Sequence, residues 1–121
     1  MSALQITARE AAAGPLWEIA GDLDHVTAPE LRTAAGDLTL TAGQVLVLDL
    51  AGLDHCDSSG ITALLAARNL ALEQGGDIAL AAVPARTARI LHVVGLDQVF
   101  TVHPDAAAAR SSTDPNRRDS L

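Results

Sequence analysis

Residues 45–61 read VLVLDLAGLDHCDSSGI, and this stretch decides the fold of the chain. Residues 45–50 form an almost continuous apolar run, whose length and β-branched side chains predict a strand buried on both faces. A short loop through residues 54–56 follows. The sequence Asp57-Ser58-Ser59-Gly60 then opens a helix over residues 59–74, which is rich in Ala and Leu. The stretch therefore predicts a buried strand joined to a long helix.

The same alternation of strands and helices continues on both sides of this unit. Two runs of alternating polarity at residues 4–8 and 16–20 predict an opening hairpin. Thr27-Ala28-Pro29-Glu30 is typical of a capping box at the start of a short helix. Further predicted elements are a strand at 78–83, a helix opened by Pro84 and capped by Gly95, a strand at 99–102, and a final helical segment at 104–110. This order predicts an α/β two-layer sandwich, with a mixed sheet of four to five strands and three to four helices.

The length and composition are those of one small domain. The chain has 121 residues, of which 49% are hydrophobic. We expect a single domain over residues 1–110. Residues 111–121, SSTDPNRRDSL, are polar and without periodicity, and they predict a disordered tail.

The charge and the cysteine content limit the partners and the compartment. The formal net charge is −7, which disfavours binding to nucleic acid or to anionic membrane surfaces. The single cysteine, Cys56, cannot form an internal disulfide, and the N-terminus has no signal-peptide pattern. We therefore expect a cytoplasmic protein without a membrane segment.

The serines at the predicted helix start allow two interpretations. A serine there is commonly an N-cap, with Gly60 allowing close packing, and we place Ser58 at this cap position. The free amides and the positive end of the helix dipole would also accommodate a phosphate attached to Ser58. The two roles are compatible, so the local pattern alone does not separate them.

A wider set of landmarks resembles the STAS family, and within it the bacterial anti-anti-sigma factors. The resemblance covers residues 4–105 and rests on four segments: Gly21-Asp22-Leu23-Asp24-His25, Leu48-Asp49-Leu50 leading into Asp57-Ser58-Ser59-Gly60-Ile61, Gly75-Gly76, and Val94-Gly95-Leu96. It implies a STAS-type fold and a protein switch that is not an enzyme. In such a switch the unmodified domain binds an anti-sigma factor that is also a Ser/Thr kinase, and this releases the sigma factor. The kinase uses Mg-ATP to phosphorylate the serine that corresponds to Ser58, and a metal-dependent Ser phosphatase removes the phosphate.

The resemblance and the helical pattern together suggest a partner-binding surface. The candidate partner-binding residues are Asp22, Asp24, His25, Asp57, Ser59, Gly60, Thr62, Ala66 and Asn69. On a helical wheel Thr62, Asn69 and Glu73 share one side of the long helix with Ala66 beside them, although an ordinary solvated face has the same pattern.

Other functions find less support in the sequence. Asp22 and Asp24 lack a partner base for catalysis, and the four histidines lack the spacing of a metal site. We expect no cofactor and no bound metal. Cys56 is either a redox-sensitive residue or, more commonly, a buried packing residue. The main alternative function is a STAS subunit or scaffold of another complex, such as a lipid-transport ABC system or a stressosome-like assembly, without a phosphorylation cycle.

Overall fold

The computed structural model describes residues 3–11 and 13–113. The strands and helices within them, in chain order, are β1 (Leu4–Arg9), β2 (Leu16–Leu23), α1 (Ala28–Asp37), β3 (Val45–Cys56), α2 (Ser58–Glu73), β4 (Asp77–Ala81), α3 (Ala85–Val93), β5 (Thr101–His103) and α4 (Ala106–Thr113). A 3-10 turn over Leu96–Gln98 precedes β5. Helix α4 runs past the predicted domain end at residue 110, and residues 114–121 of the predicted tail lie outside the described residues.

The five strands form one mixed sheet in the order β1-β2-β3-β4-β5. β1 pairs antiparallel with β2 as the predicted hairpin, while β2 to β5 are parallel to their neighbours. The predicted α/β class, the mixed sheet and the numbers of strands and helices are confirmed. Because the strand order follows the chain order, β3 is the central strand with β4 next to it, and the helix starts that follow these two strands lie at the carboxyl edge of the sheet.

The main core lies between one face of the sheet and helices α1, α2 and α3. Its largest fully buried side chains alternate along the strands and face the apolar stripes of the helices: Ile19, Leu46, Leu48, Leu50, Ile78 and Leu80 from the sheet, and Leu31, Leu64 and Leu91 from the helices. Each such side chain contributes about 1.5–3 kcal/mol on burial. Aliphatic packing therefore holds the fold together, with Trp17 and Phe100 as the aromatic members of the core.

Helix α4 covers part of the opposite face of the sheet. Ala109 of α4 is buried in a second, small cluster with Val47 of β3 and Ala81 of β4. Val47 alternates with Leu46 and Leu48 along β3, so it points away from the main core. The sheet is thus covered on one face by three helices and on the other by this short helix.

The main boundary error of the sequence prediction concerns β3. Residues 54–56, predicted as a loop, belong to this strand, which runs on to Cys56. The extra residues continue the parallel ladder with β2, in which Asp22 pairs with His55 and Leu23 with Cys56. Backbone pairing with a neighbouring strand is not visible in the local sequence, and it extends β3 directly to the start of α2.

The last predicted strand also begins later than expected, at Thr101 instead of residue 99, because the 3-10 turn is placed before it. Gly95 adopts the predicted left-handed conformation after α3, with φ 79°. Leu96 then packs against the main core.

Candidate functional site

The start of α2 is fixed by Asp57, the residue between β3 and the helix. Its Oδ1 accepts hydrogen bonds from the backbone N–H of Ser59 at 2.9 Å and of Gly60 at 3.1 Å. Asp57 is therefore the N-cap, and Ser58 is the first helical residue. The expectation that Ser58 caps the helix is wrong, because the carboxylate of the preceding residue already satisfies the exposed amides.

The two serines differ in their access to solvent. Ser58 is exposed, whereas Ser59 is half-buried. The backbone carbonyl of Ser58 accepts a hydrogen bond from Thr62 Oγ1 at 2.9 Å. Within the described residues, no hydrogen bond involves the Ser58 hydroxyl. The helix thus fixes the backbone of Ser58 at the first turn of α2, and the exposed hydroxyl is accessible to another molecule.

Gly60 is buried because the chain of β2 approaches the helix at this point. A Cβ at residue 60 would lie 2.6 Å from the carbonyl oxygen of Leu23 and 2.8 Å from Cys56 Sγ. The amide of Asp57 donates to the same Leu23 carbonyl at 3.2 Å. Gly60 therefore contributes to the site by packing α2 tightly against the end of β2.

The loop between β2 and α1 lies beside the start of α2 and is internally braced. Asp24 Oδ1 accepts hydrogen bonds from the backbone N–H of Val26 and Thr27, at 2.9 and 3.1 Å. The buried Thr27 hydroxyl donates to the carbonyl oxygen of Asp22 at 2.7 Å and accepts from the Asp24 amide. The predicted capping box is wrong, because Thr27 makes no cap to the helix and its hydroxyl is used within the loop.

A shallow groove of about 290 Å³ separates α1 from α2. We call it the α1–α2 groove, and its lining residues are His25, Ala28, Arg32, Ser59 and Thr62. Three of the predicted partner-binding residues thus meet at one surface. The lining residues missed from the sequence are Ala28 and Arg32. A helical wheel that follows only the apolar stripe of α1 does not show that Arg32 faces α2.

The remaining predicted residues are not part of the lining of this groove. Asp57 is half-buried at the cap, Asp22 and Asp24 are half-buried in the loop, and Gly60 lies beneath the helix. Thr62, Asn69 and Glu73 are exposed as the helical wheel predicts, with the half-buried Ala66 beside them. Ala66 and Asn69 continue the exposed side of α2 beyond the groove.

Cys56 is buried between the ends of the strands and α2. Burial raises the pKa of its thiol to about 12, and the neighbouring Asp57 carboxylate adds to the shift. A thiol with such a pKa is protonated and unreactive at neutral pH. Its Sγ lies 3.7 Å from the carbonyl oxygen of Asp57. The geometry favours packing over redox chemistry for this residue.

The described residues contain no cluster of three or more His, Cys, Asp or Glu side chains that could hold a metal ion. None of the helices in this part of the chain is long and apolar enough to cross a membrane.

The fold and this site define a small α/β domain of the STAS type, in which a serine opens the helix that follows the central strand. The family model described as "Mlab, STAS domain" matches residues 6–102. The chain belongs to the STAS domain family.

Several similar proteins carry names from one regulatory class. The anti-sigma-F factor antagonist RsfA of Mycobacterium tuberculosis is 30% identical over 115 residues, which cover 93% of this chain and 89% of that protein. RsfB of the same organism, also named an anti-sigma-F factor antagonist, is 32% identical over 82 residues, or 68% of this chain and 66% of RsfB. The crystal structure of an anti-sigma factor antagonist from Mycobacterium paratuberculosis superposes with a TM-score of 0.80 at 25% identity, covering 92% of this chain and 94% of that one.

Proposed function

We propose that this protein is a cytoplasmic anti-sigma factor antagonist that works by binding and not by catalysis. The unmodified form binds an anti-sigma factor with Ser/Thr kinase activity and thereby releases a sigma factor. Phosphorylation of Ser58 by that kinase ends the binding, and a metal-dependent phosphatase restores it. The names of the relatives support the antagonist role.

The observation that carries the switch is the exposed Ser58 hydroxyl at the first turn of α2. A kinase must bring a hydroxyl in line with the γ-phosphate of ATP, so it needs an accessible side chain. Ser58 is exposed and Ser59 is half-buried, and Ser59 is also drawn into the α1–α2 groove. These contrasts support Ser58 as the acceptor.

The surroundings of Ser58 explain how one phosphate would end binding without unfolding the domain. A phosphate adds about −1.5 to −2 charges, and the positive end of the α2 dipole tolerates it. The adjacent Asp57 carboxylate repels it, and Asp57 already occupies two of the free amides of the helix. Inside a protein interface the added charge would have to lose its water. A loss of about 4 kcal/mol would weaken binding roughly a thousandfold.

The proposed docking surface consists of the α1–α2 groove and the exposed side of α2. Its side chains are mostly polar, and the loop that carries Asp22 and Asp24 adds negative charge next to His25 of the groove. The hydrogen bonds of Asp24 within its own loop mean that this carboxylate also fixes the loop shape that a partner would meet.

A kinase assay with single variants tests the acceptor. The purified protein is incubated with its cognate anti-sigma kinase and Mg-ATP, and the phosphorylated residue is located by peptide sequencing. We expect Ser58→Ala to abolish phosphorylation, whereas the matched control Ser59→Ala keeps a measurable rate. A phosphate located on Ser59 or Thr62 would refute the assignment of Ser58.

Capture of partners from the native cytoplasm tests the class of function. We expect the unmodified protein to retain a protein with an ATPase-like kinase domain. Reproducible recovery of transporter subunits alone would favour the alternative function, a STAS subunit of another complex without a phosphorylation cycle.

A further inference from the structure

A second helix start at the carboxyl edge of the sheet opens onto a cavity that the proposed switch does not use. The cavity has a volume of about 370 Å³ and lies between the end of β3 and the start of α3. Small-molecule sites measure about 300–1,000 Å³. In open parallel sheets, ligands bind outside the carboxyl ends of the strands. The position and the size are therefore those of a site for a small ligand.

The interior of this cavity is mostly apolar. Leu53 and Cys56 from the end of β3 are buried, and the half-buried Pro84 and Ile90 line the side of α3. Such a lining accepts a short hydrocarbon body and releases water from it on binding.

The start of α3 supplies unpaired hydrogen-bond donors to the same cavity. Helix α3 has no side-chain cap, and its first internal hydrogen bond runs from the Ala88 amide to the Pro84 carbonyl oxygen. The amides of Ala85, Arg86 and Thr87 precede that bond, so the helix itself offers them no acceptor. They form the positive end of the helix dipole and favour an anion.

Thr87 provides an independent sign of a ligand. This residue is 3% exposed and lines the cavity. Over residues 3–11 and 13–113, no hydrogen bond involves its hydroxyl. The residue is almost wholly buried, but its hydroxyl oxygen is not fully buried and keeps contact with the cavity that the residue lines. An oxygen of a bound ligand would satisfy this hydroxyl.

The rim of the cavity carries both signs of charge. Arg86 is exposed, and it makes no ion pair within the described part of the chain. His55 and Asp54, also exposed, stand on the side of β3. The cationic side of the rim thus coincides with the free amides of α3, while Asp54 opposes any anion that enters.

We propose that this cavity binds a small molecule with one anionic head, a carboxylate or a phosphate, and a short apolar body. The head accepts hydrogen bonds from the first amides of α3 and the Thr87 hydroxyl and pairs with Arg86. The body lies against Leu53 and Ile90. This binding is separate from the Ser58 switch and does not depend on the proposed function.

The test is a titration of the full chain followed by the NMR shifts of its backbone amides. The probes are hexanoate, hexyl phosphate, inorganic phosphate and hexylammonium, each at up to about 10 mM. We expect hexanoate or hexyl phosphate to shift the amides of Ala85, Arg86 and Thr87 in a saturable way, and the stronger of the two identifies the head. Inorganic phosphate should bind more weakly, because it lacks the apolar body, and hexylammonium should not shift these amides.

Four variants separate the proposed contacts. Arg86→Gln should weaken binding roughly tenfold, since a charge-assisted hydrogen bond is lost. Thr87→Val, which has the same shape without the hydroxyl, should weaken it by about five- to tenfold. Asp54→Asn should strengthen it about twofold by removing a repulsive charge. The control Arg89→Gln changes an exposed arginine of the same helix outside the lining and should leave binding unchanged.

Several results would overturn the proposal. These are the absence of a saturable shift at α3 with both anionic hexyl probes, and an equal response to hexylammonium. Inorganic phosphate binding as tightly as hexyl phosphate would reject the apolar body. A Thr87→Val protein whose amide spectrum shows it to be folded and whose affinity is unchanged would reject the assigned role of the hydroxyl. An equal loss of affinity in Arg89→Gln and Arg86→Gln would show that the effect comes from the overall charge and not from a contact with Arg86.

Discussion

Helices α2 and α3 begin at the same edge of the sheet, after neighbouring parallel strands, yet their starts are built differently. Before α2, the Asp57 carboxylate occupies two amides and Ser58 is left exposed. Before α3, Pro84 offers no side-chain acceptor, and the buried Thr87 faces a cavity. The residue that precedes each helix therefore decides what its start can do. We propose that the capped start presents Ser58 to another protein, whereas the uncapped start offers its donors to a small ligand.

Cys56 links the two starts, since it lines the cavity beside α3 and lies under Gly60 of α2. We expect its native thiol to react with iodoacetamide at pH 8 roughly 100-fold or more slowly than in the denatured chain, because burial raises its pKa to about 12. Equal rates would mean that the ends of the strands open freely to solvent. If the reaction of the native thiol is measured again with a saturating cavity ligand, a further decrease in its rate would show that the ligand closes the cavity.

The raised pKa also predicts a dependence of stability on pH. The folded thiol stays protonated, whereas the unfolded thiol ionises near its ordinary pKa of 9.0. Unfolding therefore releases a proton at alkaline pH, and the free energy of unfolding should fall as the pH rises from about 9 towards 12. The chain contains no Tyr and no Lys, so few other groups titrate in this window. A Cys56→Ser protein should lack most of this fall.

The close packing of α2 predicts the largest effect of a single added methyl group. Gly60→Ala should lower the free energy of unfolding by about 2–3 kcal/mol, because its Cβ meets the backbone carbonyl of Leu23. Gly36 of α1 is the matched control, since no atom lies within 4 Å of an added Cβ there. Gly36→Ala should raise stability by about 0.5–1 kcal/mol. Denaturant unfolding measures both, and equal effects would contradict the tight approach of β2 to α2.

Removing the cap tests the difference between the two helix starts directly. Asp57→Ala should lower the free energy of unfolding by about 1 kcal/mol, since the amides of Ser59 and Gly60 lose their acceptor. Asp57→Asn keeps an acceptor oxygen and should lose much less. If the alanine variant is as stable as the native chain, α2 does not depend on its cap. The difference between the starts of α2 and α3 would then make no contribution to stability.

The smallest expected change in stability is that of Ser58→Ala. The hydroxyl makes no hydrogen bond within the described residues, so the free energy of unfolding should change by less than about 0.5 kcal/mol. A loss comparable to that of Asp57→Ala would show that Ser58 has a structural role in capping.

Local patterns in the sequence predicted more of the fold than of the site. The strand at residues 45–50, the helix after Asp57 and the left-handed Gly95 follow from periodicity and backbone preference, and the structure confirms them.

Both cap predictions were wrong, for different reasons. At α2 the Asp57 carboxylate takes the amides that a Ser58 cap would bind. Before α1 the Thr27 hydroxyl is used within its own loop, where it bonds to the Asp22 carbonyl oxygen and the Asp24 amide. Such competition for hydrogen bonds depends on backbone geometry that the sequence does not give.

The features that the sequence did not predict are those that combine distant segments. Arg32 joins the α1–α2 groove, and Thr87 meets the end of β3, only because the sheet brings residues far apart in sequence together. The extension of β3 to Cys56 has the same origin, since it depends on pairing with β2.

The most direct test of the account is the affinity of the purified protein for the proposed anti-sigma kinase before and after stoichiometric phosphorylation at Ser58. Titration calorimetry with a non-hydrolysable ATP analogue prevents turnover during the measurement. The account predicts a dissociation constant about a thousandfold larger for the phosphorylated form. Ser58→Asp should lie between the two forms, because it adds one charge and has no third oxygen. Equal affinities of the phosphorylated and unmodified proteins would contradict the proposed switch.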